Sequence, residues 1–273
     1  MPRAVQKLLS SSRPLVFGMI HVQALPRTPA YKDPLFVTLQ KVREEASIYI
    51  RSGVDGIIVE NMHDVPYVKP PASPEITAAM TLACQEVANM CKDKDTLLGV
   101  QILAACNKEA LAVASVTGFD FIRAEGFVFS HVADEGWIDA CAGKLLRYRS
   151  QLPGPEIAVF ADIKKKHSSH TITSDVSIET TAKDAEFNRA DGVIVTGTAT
   201  GDPAKKKELI RVRKSCKLPV LIGSGVNFEN VSNYVDAHGL IVGTEFKKEG
   251  HWSGDLDERK IRSFMNKVSK LKR

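Results

Sequence analysis

Apolar and polar positions follow two periods along this chain. Eight short runs are continuously apolar and rich in β-branched residues: LVFGMIHV (15–22), GIIVE (56–60), LLGVQI (97–102), FIRAE (121–125), IAVFADI (157–163), GVIVTG (192–197), PVLIGSG (219–225) and GLIVGTEF (239–246). Continuous rather than alternating hydrophobicity predicts strands buried on both faces of a parallel sheet. The stretches between them carry helical spacing. In FVTLQKVREEASIYIRSG, Val37, Val42, Ile48 and Ile50 fall among charged positions, and Gly53 supplies the stop. Eight strands alternating with helices predict an α/β fold, the (β/α)8 TIM barrel, whose usual size is ~250 residues. A doubly wound open sheet is the competing architecture, but no GxGxxG follows an early strand.

One phrase recurs. SGVDGIIVEN (52–61) returns as TGFDFIRAE (117–125), RADGVIVTG (189–197) and DAHGLIVGTEF (236–246), each time after a helical stretch. An acidic residue and a glycine ahead of an apolar run form the tight turn from a helix into the next strand. Such turns lie at the bottom of a barrel, where residues serve stability, so Asp55 and Asp191 read as turn residues rather than catalysts.

Composition narrows the picture. The 273 residues are 44% hydrophobic and 25% charged, enough for one large core, which we place at 15–273 as a single domain. Residues 1–14 form an N-terminal extension, either a helix capping the barrel or a short targeting segment. MPRAVQKLLSSSRPLVF holds Arg3, Lys7 and Arg13 with no acid before Asp33. Lys+Arg 37 against Asp+Glu 32 leaves a net charge of +5. That favours small anions and is too scattered for a nucleic-acid footprint. The five cysteines show no metal-ligand spacing, and no apolar run approaches the roughly 20 residues of a membrane span. The chain therefore reads as an intracellular soluble protein, cytoplasmic or mitochondrial, with homo-oligomerisation left open.

In a barrel of this kind the chemistry sits where the strands end. Those positions hold His21, Glu60, Asn61, Gln101, Arg123, Glu125, Asp162, Lys164, Thr196, Ser224, Thr244 and Glu245. Ionisable groups gathered in one mouth can tune each other for acid–base work. GSGVN (223–227) and VGTEFKK (242–248) follow the seventh and eighth runs, where barrels commonly hold a phosphate. Gly223, Gly225 and Gly243 let backbone amides approach an anion, Ser224 and Thr244 add hydroxyls, and a following helix adds its positive end. TGTATGDP (196–203), with Thr196 and Gly197, could reach the same ligand, or mark a helix start with Asp202 as cap and Pro203 at the first position. In ADIKKKH, Asp162 and Lys164 are two apart, which on a strand puts both on one side and allows a charge pair. Lys164 is also weighed as a Schiff-base amine, and a plain structural ion pair at the rim is an equal reading. His21, Glu60, His63, Asp64, Asp162 and His167 make a mixed O/N donor set suited to Mg²⁺, Mn²⁺ or Zn²⁺, without metal-ligand spacing. The long loops 61–75, 126–137 and 167–177 lie on the same face and suit lids, with His131, Asp134, His170 and Asp175 as second-line contacts.

Taken in order, GMIHVQALPRTP, GVDGIIVENMHDVPY, FIRAE, ADIKKKH, DGVIVTGTATG, PVLIGSGVNFEN and VGTEFKKEGHW resemble the BtpA/SgcQ family over nearly the whole chain. The resemblance implies a barrel of the ribulose-phosphate-binding type. It marks His21, Pro26, Glu60, Asn61, Asp64, Pro66, Arg123, Asp134, Gly136, Asp162, Lys166, His167, Thr196, Gly197, Thr200 and Gly201, then Gly223, Ser224, Gly225, Gly243 and Thr244. The chain departs from the family pattern at Ala124-Glu125 and at Lys164. The family takes its name from a factor for photosystem I biogenesis, while other members look like sugar-metabolism enzymes.

Two functions from different classes follow. The first is an enzyme acting on a phosphorylated small metabolite, a sugar phosphate or nucleotide-like compound. His21, Glu60, Asn61, Arg123, Asp162, Lys164 and His167 would supply the chemistry; Thr196, Gly197, Gly223, Ser224, Gly225, Gly243 and Thr244 would hold phosphate. Isomerase, lyase and hydrolase chemistry all fit. The second is a non-catalytic assembly factor, with a metabolite-sensing module as its variant.

Overall fold

The computed structural model describes residues 1–154 and 156–273. Eight parallel strands close into a barrel: β1 (Leu15–His21), β2 (Gly56–Glu60), β3 (Leu97–Gln101), β4 (Phe121–Ala124), β7 (Ala158–Ile163), β9 (Gly192–Val195), β10 (Val220–Ile222) and β11 (Gly239–Val242). A three-stranded antiparallel sheet at the mouth is built from β5 (His131–Ala133), β6 (Gly136–Ile138) and β8 (Ser168–Ser169). Helices α2 (Leu35–Ser52), α3 (Pro74–Cys91), α4 (Asn107–Thr117), α5 (Ala142–Arg149), α6 (Ile178–Phe187), α7 (Lys206–Ser215) and α8 (Glu258–Val268) surround the barrel. The connection from β10 to β11 carries only a short 3₁₀ turn, Val231–Tyr234. The fold is the TIM barrel that the hydrophobic pattern predicts. Every residue of β1, LVFGMIH, is buried, as a doubly covered strand requires.

Period-two alternation explains how this core becomes a site. Inward rows are apolar at the bottom and polar at the top. Leu15, Phe17 and Met19 lead to His21, Ile58 to Glu60, Leu97 to Gln101, and Phe121 to Arg123. On the other wall Phe160 leads to Asp162, Ile194 to Thr196, Leu221 to Gly223 and Ile241 to Gly243. The apolar half of each row belongs to one interior cluster, centred on Phe17, Phe121 and Phe160. Helix α1 (Arg3–Ser10) lies against the bottom of that cluster with Ala4, Val5 and Leu8 buried in it. Arg3 pairs with Asp120 at 2.8 Å, and Arg273 donates to the carbonyls of Leu8, Leu9 and Ser11.

The recurring phrase has a common structural job. Asp55 accepts from Val16 N–H, Asp120 from Leu98 N–H and Asp191 from Val159 N–H, each at 2.8 Å. Each carboxylate is also held by an arginine: Arg13, Arg3 and Arg149. In the fourth copy the position is taken by His238, not by Asp236. His238 Nδ1 accepts from Val220 N–H at 3.0 Å, and Arg213 bonds the ring. Burial and the neighbouring Arg213 cation pull the His238 pKa down to about 3, keeping the ring a neutral acceptor. The phrase thus marks every second barrel strand and stitches it to the strand before.

Candidate active site

The polar ends of the inward rows converge on two adjoining cavities in the barrel mouth, of about 180 and 260 Å³. Both are lined by Glu60, Met62, Arg123, Lys166 and Thr200, and together they fall in the range that holds a small metabolite, a few hundred Å³. The first ends in the glycine segments Gly223–Asn227 and Gly243–Glu245; the second reaches Tyr67, Gln101, Glu125, Lys165 and Trp252.

At the centre, Arg123 grips Asp162 through Nε at 3.2 Å and Nη2 at 3.1 Å, and both side chains are almost fully buried. The strand register places His21 beside Glu60, and Glu60 beside Gln101. His21 Nδ1 lies 2.9 Å from the Trp252 carbonyl, which can only accept, so Nδ1 carries the proton and Nε2 offers a lone pair. Nε2 faces a Glu60 carboxyl oxygen at 3.6 Å. Burial, then the Lys247 cation, lowers the His21 pKa to about 3, whereas burial raises that of Glu60 against the pull of Arg123 and Lys166. Both groups are thereby driven toward their neutral forms, a base beside an acid.

Lys166 reaches into both cavities, and Nζ donates to Thr200 Oγ1 at 3.2 Å. Burial first and Arg123 second lower its pKa. Of the two cavities Lys165 lines only the second, and it sits 3.5 Å from Glu125, whose carboxylate also accepts from Gln101 and from Ala105 N–H. Gln101 Oε1 is buried without a partner among the described residues.

Several expected site residues do other work. Strand β7 stops at Ile163, and Lys164 has φ +51°, so the two-residue rule no longer applies there. The expected Asp162–Lys164 pair is absent: Lys164 Nζ donates to the Thr173 carbonyl at 2.9 Å, and Asp162 belongs to Arg123. Asn61 is a brace rather than a catalyst in reach of the cavity centre. It donates to Asp64 and accepts from Leu103 N–H, both at 2.8 Å, while Asp64 accepts from Leu25 N–H. His167 accepts from Thr200 N–H at 3.2 Å and staples two loops at the rim. Its ring and those of His131 and His170 have pKa values lowered mainly by burial.

The glycine end also differs in detail. Ser224 Oγ accepts from Gly197 N–H at 2.6 Å and donates to the Asp202 carbonyl at 2.9 Å, so the hydroxyl latches two loops instead of facing the cavity. Gly225, at φ +65°, lies so close to Pro203 that any Cβ would collide with it. Helix α7 starts at Lys206, not at Pro203, and the carbonyl of Asp202 is the element Ser224 uses. No α-helix follows β10 directly, so its dipole is not available; the 3₁₀ turn Thr244–Phe246 stands after β11. What remains for an anion is backbone: the amides of Ser224, Gly225, Val226, Thr244 and Glu245 donate to no backbone acceptor among the described residues. Thr196 Oγ1 accepts from Lys166 N–H and shapes the loop rather than the cavity wall. Gly243 stands next to the His21 ring, since a Cβ added there would lie 3.2 Å from His21 Cε1.

Among the described residues, no three His, Cys, Asp or Glu side chains converge as metal ligands. Two groups of the site are not legible in the strand pattern: Lys166, which only the family resemblance marks, and the Trp252 carbonyl, in the loop before α8. The signal for Lys166 is its place in the loop that leaves the C-terminal end of β7, three residues past Ile163.

Fold and mouth together define a TIM barrel with a buried cluster of ionisable side chains and a glycine-lined end. The chain belongs to the BtpA family, whose sequence profile matches residues 12–270. It is 62% identical over 274 residues to an uncharacterised protein of Caenorhabditis elegans described as mitochondrial, covering 98% of each chain. It is 32% identical to the photosystem I biogenesis protein BtpA of Synechocystis, covering 93% of this chain and 88% of that one. Among solved structures it is similar to thiamine phosphate pyrophosphorylase from Pyrococcus furiosus, with a TM-score of 0.59 at 13% identity, over 98% of this chain and 99% of that one. No helix among the described residues is long and apolar enough to cross a membrane.

Proposed function

We propose that the chain is an enzyme acting on a phosphorylated small metabolite, with proton-transfer chemistry at its centre. The observation that carries this reading is the adjacency of the glycine end to His21: both line one cavity, and a Cβ added at Gly243 would lie 3.2 Å from His21 Cε1. A phosphate cradled by the amides of Gly225, Val226, Thr244 and Glu245 would set the ligand's next carbons against His21 Nε2 and the Glu60 carboxyl. A buried imidazole and a buried carboxyl, each shifted by burial toward its neutral form, give a base and an acid suited to the two halves of a proton transfer. Arg123, fixed by Asp162, and Lys166 supply positive charge where an oxyanion would develop. The overlaid thiamine phosphate enzyme, by its name, handles a phosphorylated compound, which agrees with this reading. The C. elegans relative described as mitochondrial favours a mitochondrial location.

The test is a thermal-shift screen of the purified protein against sugar phosphates, nucleotides and divalent cations. A ligand at 100 times its Kd should stabilise by about 2.7 kcal/mol. Stabilisation by a phosphorylated compound that is lost in Gly243→Ala supports the proposal; indifference to the whole panel contradicts it. The Synechocystis relative's name supports a second reading, a non-catalytic assembly factor. It predicts that Glu60→Gln leaves partner association unchanged and that no compound turns over.

A further inference from the structure

We propose that Lys166 is a covalent catalyst, whose amine condenses with the carbonyl carbon of a phosphorylated aldehyde or ketone. This rests on the proposed function for its phosphate, and on geometry of its own for the amine.

The C-terminal end of β7 presents three successive lysines, and the fold separates them. Lys164 is turned to Thr173 outside the mouth, and Lys165 is committed to Glu125 at 3.5 Å. Lys166 alone of the three faces the cavities on both sides of the Arg123 guanidinium. Carboxylates surround it at longer range: Glu60, Asp162 and Glu125. Yet among the described residues it forms no ion pair, because Asp162 is taken by Arg123 and Glu125 by Lys165, and its one hydrogen bond goes to a neutral hydroxyl. A charged ammonium left in that position would be poorly compensated, whereas a free amine beside a second cation has the properties of a Schiff-base lysine. The lowering of its pKa by burial and Arg123 agrees with this.

The groups needed for the condensation stand around it. Lys166 Nζ attacks the carbonyl carbon, a C–N bond forms, and the carbonyl electrons move to oxygen, which takes a proton from the Glu60 carboxyl. His21 Nε2 accepts a proton from the nitrogen. The His21 imidazolium then returns its proton to the carbinolamine hydroxyl, the C–O bond breaks and water leaves as the nitrogen lone pair forms C=N. The remaining N–H proton passes to the Glu60 carboxylate, so amine plus carbonyl gives imine plus water with both groups restored and no oxidant or reductant. The phosphate cradle beyond His21 fixes which carbon meets the amine, so the substrate class is a short carbonyl compound phosphorylated near the reacting carbon.

The test is reductive trapping. The wild-type protein is incubated with glycolaldehyde phosphate, or with glycolaldehyde lacking the phosphate, each with sodium borohydride, and the modified lysines are mapped by peptide mass. The expected result is modification of Lys166 ahead of exposed lysines such as Lys205, loss of that adduct in Lys166→Met, and half-maximal labelling by the phosphorylated aldehyde at a concentration at least about tenfold lower, equivalent to about 1.4 kcal/mol of phosphate binding. Equal labelling of Lys166 by both aldehydes keeps the covalent role and overturns the phosphate cradle. Labelling of Lys205 or Lys164 as readily as Lys166 by both aldehydes, or no label on Lys166 at all, overturns the covalent role.

Discussion

His21 turns the lone pair of Nε2 toward the carboxyl of Glu60 at 3.6 Å, because its other nitrogen is held by the carbonyl of Trp252. The pair sets a pH signature. The His21 pKa lies at about 3 in the folded protein, well below its ordinary value. A lowered histidine pKa means that the unfolded chain binds the extra proton first, so this contribution to stability is complete above about pH 6.5 and is lost as pH falls toward 3. His238, at about 3, acts in the same direction. Glu60 acts oppositely: its raised pKa stabilises most at low pH, and the contribution fades as pH rises through the folded value. Chemical denaturation from pH 7 to 4 should show falling stability, with a shallower slope in His21→Gln. An unchanged slope in that variant would refute the neutral assignment of His21.

Ser224 should behave as a structural latch. Its hydroxyl satisfies the Gly197 amide and the Asp202 carbonyl at once. Ser224→Ala strands both groups, costing about 1–3 kcal/mol, or a fall in Tm of roughly 2–4 °C per kcal/mol for a chain of this size. Differential scanning calorimetry decides it, since a hydroxyl facing the cavity and bonding only a ligand would leave the Tm of the unliganded protein unchanged.

The Arg123–Asp162 pair is both support and charge. Removing one partner leaves a buried charge uncompensated, at a cost of about 3–5 kcal/mol. Asp162→Ala should therefore destabilise strongly, while Arg123→Met with Asp162→Leu recovers much of the stability without recovering ligand binding. Urea titration of the single and double variants checks the coupling.

Lys164 and Lys166 are neighbours with different fates. Lys164→Ala, outside the mouth, should leave ligand-induced thermal shifts intact, whereas Lys166→Ala should abolish or weaken them; the thermal-shift panel used above measures both.

Much of this molecule is written plainly in the sequence. The eight apolar runs are strands because each is buried on both faces, and the polar residues at or next to their C-terminal ends fall on inward rows by period two alone, which is why His21, Glu60, Arg123 and Asp162 could be named. The same rule failed at Lys164, where a positive φ ends the strand one residue before it. The role of Ser224 was hidden because its partners, Gly197 and Asp202, come from a different loop and use backbone atoms that no side-chain pattern reveals. His238 filled an expected aspartate position because the turn needs an acceptor of the right reach rather than a charge. The antiparallel sheet of β5, β6 and β8 lay in loops read only as lids.

The central claim is that an anion sits between the β10 and β11 loops. A crystal structure of the protein grown with glycolaldehyde phosphate or inorganic phosphate tests it most directly. The account predicts phosphate density about 3 Å from the amides of Gly225, Val226 and Thr244, on the His21 side of Gly243. Density at Lys205 and Arg211 in the outer groove, with the glycine end holding only solvent, would contradict it.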